Sequence, residues 1–160
     1  MVWDTAGQEE YEKLRPITYK DSDIIILCYS IDNPDSYSNI IEKWYPELRY
    51  YCPTVPVILV GNKKDLRDQK NESDRMKQDL NFSNLSSLVF IDSIQGDNLC
   101  KRIKANHFLE CSVRTGENVK EVFDYAALIA EMNSKLIKEN KKINKTGFFK
   151  FCFNEKCEIM

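Results

Sequence analysis

A chain of 160 residues, 42% hydrophobic and 30% charged, is long enough to bury one substantial core, and no run approaches the eighteen or so apolar residues of a membrane span or resembles a signal peptide. Its formal charge of −2 is uneven: residues 135–160 hold seven Lys against three Glu, a net +4 that leaves −6 for the rest, which argues against a general nucleic-acid binder and for a basic end that is either simply solvated or meets an anionic surface. The six Cys are scattered without CxxC pairing and read as the thiols of a reduced, cytosolic protein.

The first expected strand is the apolar run at residues 24–29. Asp32-Asn33-Pro34 is a helix start signal; Tyr37, Ile40, Ile41, Trp44 and Leu48 then recur at helical spacing, with Pro46 marking a kink. A second strand follows at residues 57–60. Like the first it is continuously apolar, the pattern of parallel strands covered on both faces. Residues 68–95, rich in Asn, Ser, Asp and Lys, read as a surface insertion around a short helix near 74–80, with no conformation fixed by pattern. The third strand is expected at 108–111. After Gly116 a last helix carries Val119, Val122, Phe123, Ala126, Ile129, Ala130 and Asn133 on one face, leaving Glu117, Lys120 and Glu121 to water. From about Lys138 the periodicity fades into Lys and Asn, which reads as a flexible linker. Strands alternating with helices imply an α/β fold, a parallel sheet flanked by helices.

Three strand-end segments carry chemistry. The string Trp3-Asp4-Thr5-Ala6-Gly7-Gln8-Glu9 resembles the Asp-Thr-Ala-Gly-Gln-Glu signature of Ras-like GTPases, and a turn that merely starts a helix explains Gly7 but not the whole string. The resemblance implies that Asp4 holds Mg²⁺ through water, since a hard cation needs oxygen ligands. It implies that Gly7 lets the backbone approach a γ-phosphate, and that Gln8 orients the attacking water in a reaction catalysed mainly by positioning. Gly61-Asn62-Lys63-Lys64-Asp65-Leu66, after the second strand where open α/β sheets bind ligands, resembles the Asn-Lys-x-Asp guanine reader. By that likeness Asn62, Lys63, Asp65 and Leu66 bind the nucleotide: Asp65 accepts two hydrogen bonds that adenine does not offer, the Lys63 stem lies along the base, and Asn62 ties neighbouring loops. Glu110-Cys111-Ser112-Val113-Arg114 resembles the Cys-Ser-Ala-Lys segment that contacts the guanine carbonyl, with Val113 in place of Ala and Arg114 in place of Lys. Ser112 and Val113 are its base-contacting residues.

Glu12-Lys13-Leu14-Arg15-Pro16 after Tyr11, Pro34-Asp35-Ser36, Glu42-Lys43-Trp44, Cys52-Pro53, Lys63-Lys64-Asp65-Leu66-Arg67 and the extra segment at 68–95 are similar to the Rho family. That resemblance implies a P-loop NTPase of the Ras-like type over residues 1–134 and a basic, flexible, lipid-modified tail over 135–160. The implied ligands are GTP or GDP with Mg²⁺. The implied partners are exchange factors, GTPase-activating proteins, GDP-dissociation inhibitors, cytoskeletal and polarity effectors, and the inner face of the plasma membrane. Cys157-Glu158-Ile159-Met160 resembles a CaaX prenylation signal whose terminal Met favours farnesyl, though Glu158 departs from the aliphatic pattern. One prenyl chain anchors only marginally, so the lysines or a palmitoyl group on Cys152 would supply the second signal. His107, the only His, reads as an ordinary residue before a strand.

The family's phosphate loop, first strands and switch threonine have no counterpart here. The expectation is therefore a partial G domain that binds GTP poorly by itself, with a hydrophobic sheet edge facing water. Two functions fit: a GTP-hydrolysing switch, or a catalytically inactive interaction module that competes for Rho regulators or effectors.

Overall fold

A computed structural model describes residues 1–5, 7, 10, 12–19, 22–70 and 89–145. Gln8, most of the 68–95 insertion, the short helix expected near 74–80, Cys152 and Cys157 lie outside the described residues.

Three parallel strands, β1 (Ile25–Ser30), β2 (Val57–Asn62) and β3 (His107–Glu110), lie in the order β1-β2-β3. Register pairs Cys28 with Val60 and Val60 with Leu109. The residue type explains the arrangement: β2 is Val, Ile, Leu and Val in succession and is buried along its length, as a strand with neighbours on both edges and layers on both faces must be. Its side chains alternate between faces. Leu59 joins Tyr29, Ile31, Ile40, Leu99 and Ile103 on one side, while Ile58 and Val60 join Cys111, Val122 and Ala126 on the other. Each such Ile or Leu contributes about 1.5–3 kcal/mol through burial. The expected cover on both faces holds for β2 and fails for β1, where Ile25, Ile26 and Leu27 are only half-buried; β1 is the edge of the described sheet and has no further strand beside it among the described residues.

Helices fill both faces. Between β1 and β2 run α2 (Pro34–Asn39), a π-helical turn (Ile40–Trp44) and α3 (Tyr45–Tyr51). Asn33 caps α2, its side chain accepting from the Ser36 N–H (3.1 Å), with Pro34 at the first turn where a missing N–H costs nothing. The expected kink takes the form of the π turn: Pro46 cannot donate back to residue 42, and the ladder widens just before it, with the Tyr45 N–H reaching Ile40 O. Helical residues 64–70 (α4) follow β2. α5 (Ser93–Arg102), not anticipated from the sequence, begins at a capping box between Asp92 and Gln95 and buries Leu99 and Cys100. α1 (Arg15–Tyr19) is a short turn against α3.

α6 (Val119–Lys145) departs from expectation twice. It continues through Lys145 rather than fading near Lys138, because Lys, Glu, Leu and Ile all favour helix and no Gly or Pro intervenes before Gly147. Phe123 is 49% exposed instead of buried; it sits one position past Val122, a rotation of about 100° off the Val122, Ala126 and Ile129 row that meets the sheet.

The Tyr29 hydroxyl is the one buried side-chain polar atom without a hydrogen-bond partner among the described residues. It occupies space left by two glycines: a Cβ on Gly61 would lie 2.9 Å from it and one on Gly96 2.7 Å. Replacing Tyr29 with Phe removes an unsatisfied donor while keeping the ring against Tyr37 (5.3 Å between centroids). The expected outcome is a gain of about 1 kcal/mol in stability, read as a rise of about 2–4 °C in melting temperature. A lower melting temperature would mean that the hydroxyl has a partner in solution.

Candidate functional site

The carboxyl ends of the three strands converge on Asn62. Its backbone O accepts from the Ile31 N–H just after β1 (3.0 Å), and its side-chain Oδ1 accepts from the Lys63 N–H (2.7 Å) and the Cys111 thiol (3.7 Å). Asn62 thus ties the ends of the three strands, its backbone carbonyl holding the residue after β1 and its side-chain amide the turn after β2 and the residue after β3. Burial pushes the Cys111 thiol above its ordinary range, which keeps it a donor. Lys63 takes a left-handed backbone, φ 64°, a conformation that costs a non-glycine residue about 1–2 kcal/mol and is held by the Asn62 bond together with Lys64 N–H to Cys111 O (3.1 Å). The turn starts α4 and sets the Lys63 side chain at the surface, its ammonium 3.4 Å from Asp32.

Asp65, in the first turn of α4, is 7% exposed, and Ser112, just past β3, is fully buried. The Ser112 hydroxyl donates to Asp65 Oδ1 (2.6 Å) and accepts from the Thr115 N–H (3.2 Å). The Gly116 N–H closes the turn on Ser112 O (2.9 Å), with Gly116 itself at φ 81°. One Asp65 oxygen is thereby fixed. The other has no protein partner among the described residues and is not sealed from solvent, so a carboxylate next to the helix start is held ready for donors from outside. Val113 is 69% exposed, and its N–H meets no acceptor among the described residues. A fixed acceptor pair and a nearby free N–H suit a planar heterocycle that has two adjacent donors on one edge and a carbonyl beside them. Leu66 lies half-buried one residue beyond Asp65.

A second bonding system braces this arrangement. Arg67 reaches from α4 to both oxygens of Glu110 at the end of β3, Oε1 at 2.8 Å, and to Ile91 O at 2.9 Å. The Ser93 hydroxyl donates to Glu110 as well (2.8 Å). Arg67 and Glu110 each sit two residues from the Asp65–Ser112 pair, so the fork fixes the two elements that carry it. Lys64 pairs with Glu117 across the same gap. None of these partners was evident from sequence, because Arg67, Ser93 and Glu110 come from three separate segments; the only signal was an arginine one turn into a helix opposite a strand-end glutamate.

The described residues of the first motif make no hydrogen bond with this group. Met1–Thr5 form no strand and are exposed. Asp4 was expected at a strand end; among the described residues there is no strand beside the segment, which therefore has no ladder to join. Its carboxylate lies near Cys28, whose thiol is pushed up to about 11, chiefly by desolvation and then by Cys111 and Asp4. Cys28 does show surface to solvent, but most of its surroundings are protein. Gly7 approaches the Trp44 ring, which a Cβ would meet at 3.6 Å. Among the described residues no hydrogen bond or ion pair joins Asp4 or Gly7 to the Asn62, Asp65 and Ser112 group, and no three His, Cys, Asp or Glu side chains cluster as metal ligands. The sequence model of the Ras family matches residues 1–132.

Proposed function

The chain belongs to the Ras family, whose members are small GTPases that bind guanine nucleotide and Mg²⁺, and from that premise we propose that it is a Rho-type switch whose guanine reader is the Asp65–Ser112 pair. The observation that carries this is the almost buried Asp65 carboxylate with one oxygen held by Ser112 and the other free. Guanine offers a ring N–H and an amine side by side; adenine presents a bare ring nitrogen there, which would repel the carboxylate. The free Val113 N–H suits the guanine carbonyl. Lys63, at the surface beside the reader, suits stacking of its stem on the base, and Leu66, half-buried and next to Asp65 in the chain, completes the nucleotide-binding set.

Mg²⁺ fits the donor set in one way. Asp4 is a lone carboxylate, and Mg²⁺ is commonly held by one or two carboxylates plus waters and substrate phosphates. Gly7 and Gln8 take the parts of γ-phosphate approach and water orientation, Gln8 from outside the described residues. The Rho assignment is supported by Glu42-Lys43-Trp44, Cys52-Pro53 and Lys63-Lys64-Asp65-Leu66-Arg67, and it brings exchange factors, GTPase-activating proteins, GDP-dissociation inhibitors and effectors as partners. Lipid attachment at Cys157 and Cys152 would place the protein on the inner face of the plasma membrane.

Base selection tests the reading. Saturation-transfer NMR of the chain with millimolar GDP or ADP should show GDP engaged and not displaced by ADP. Two hydrogen bonds to a charged group correspond to a preference of about 3 kcal/mol, roughly a hundredfold. Equal responses to the two nucleotides would refute it.

A further inference from the structure

We propose that Asp32 is a positioning residue of the base reader: its carboxylate holds the Lys63 ammonium on the β1 side, so that the lysine offers the base its methylene stem and not its charge. The inference rests on the guanine reading of the Asp65–Ser112 pair, and it assigns to that site a residue that lies outside all three strand-end motifs.

Asp32 stands in the turn between β1 and α2, and several bonds fix it there. The Asn33 N–H donates to Ser30 O (3.0 Å) and closes the turn. The Ser30 hydroxyl donates to Asp32 Oδ1, while the Ser30 N–H is itself taken by Ser36 Oγ (2.9 Å). Next in the chain, the buried Ile31 gives its N–H to Asn62 O (3.0 Å), which docks the turn against the residue before Lys63. The Ser30 hydroxyl first, and Lys63 after it, hold the Asp32 carboxyl below the usual carboxylate range, so the group is charged at neutral pH.

Lys63 comes to this carboxylate from a backbone with little freedom. Its left-handed φ and the bond from its N–H to Asn62 Oδ1 set the direction in which the side chain leaves, and its Nζ lies 3.4 Å from Asp32 Oδ1. Lys64, the next residue, pairs with Glu117 beyond β3 and with Asp68 (3.7 Å). The two ammonium groups are thus engaged on opposite flanks of β2, and neither pairs with Asp65, whose second oxygen stays open to the donors of the base. A lysine has more rotamer freedom than most side chains, and a stem tethered at its far end gives up less of it when a planar ring lies on it.

The test titrates the full chain with GDP and reads binding by heteronuclear NMR for the wild type, Asp32→Asn, Lys63→Met and the double variant. Asn keeps an oxygen for the Ser30 hydroxyl and removes the charge, so the melting curve should not move. Met keeps an unbranched stem and removes the ammonium. Because the Lys63 side chain is 53% exposed, the pair is a weak one, and each single variant is expected to lose about threefold in GDP affinity. The double variant should be no weaker than either single one, and Asp32→Glu should bind within about twofold of the wild type. GDP should stay preferred over ADP throughout, since Asp65 is untouched. Unchanged binding in Asp32→Asn, or a loss that repeats in the Lys63→Met background, would overturn the proposal and leave the reader standing. No loss in Lys63→Met, a change confined to the surface, would do the same. A wild type without preference for GDP over ADP would overturn the reader and the proposal together.

Discussion

Replacing Glu47 with Ala is expected to destabilise the chain by about 3 kcal/mol, read as a lowered urea midpoint with unchanged slope. Glu47 on α3 receives Arg15 Nε at 2.9 Å and the Tyr19 hydroxyl at 2.6 Å. The pair is not a surface bridge: the Arg15 side chain is 2% exposed and that of Glu47 14%. Without that carboxylate the guanidinium loses the partner of its Nε and keeps the Trp44 ring, 4.8 Å from its centroid, and the tyrosine loses its acceptor. The ring's attraction recovers part of the loss, which is why the lower end of the usual range is expected. α1, of five residues, has no stability of its own. Hydrogen exchange should therefore show α1 opening first, and with it the anchorage of the segment that follows the Asp4 motif. A loss under about 1 kcal/mol would class the pair with ordinary surface bridges.

The strands and helices that were legible share a property: their signals are local. Continuous apolar runs gave β1 and β2, Asn33-Pro34 gave a helix start, and Pro46 gave the break in that helix. The Asp92-x-x-Gln95 box was equally local, yet it lay at the border of a polar stretch whose composition suggested no helix, so α5 was missed. What sequence could not supply was partnership across distance. The continuous apolar run of β1 matches that of β2, but burial depends on neighbours, and β1 has a neighbour on one side only in the described sheet. Phe123 shows the same limit on a helix, where an apolar residue close to the buried row was counted into it. At the candidate site, Asp65 and Ser112 were each recognised from a motif; their bond, and the Arg67–Glu110 fork that braces it, required the fold.

That bond also decides how the base preference should change. Asp65→Asn keeps the size of the side chain and leaves an amide oxygen to accept from Ser112, so melting should shift by no more than about 1 kcal/mol's worth. What changes is the outward-facing atom, because an amide N–H stands where a carboxylate oxygen was. Guanine's amine then faces a donor. Xanthine carries a carbonyl at that position and accepts from it, so the variant is expected to prefer xanthosine diphosphate over GDP by about a hundredfold, with the wild type showing the reverse. Competition between the two nucleotides in saturation-transfer NMR measures the ratio. Retention of the GDP preference in the variant would locate base reading outside the Asp65–Ser112 pair, since no other carboxylate in the described site stands with a free oxygen beside an unengaged N–H.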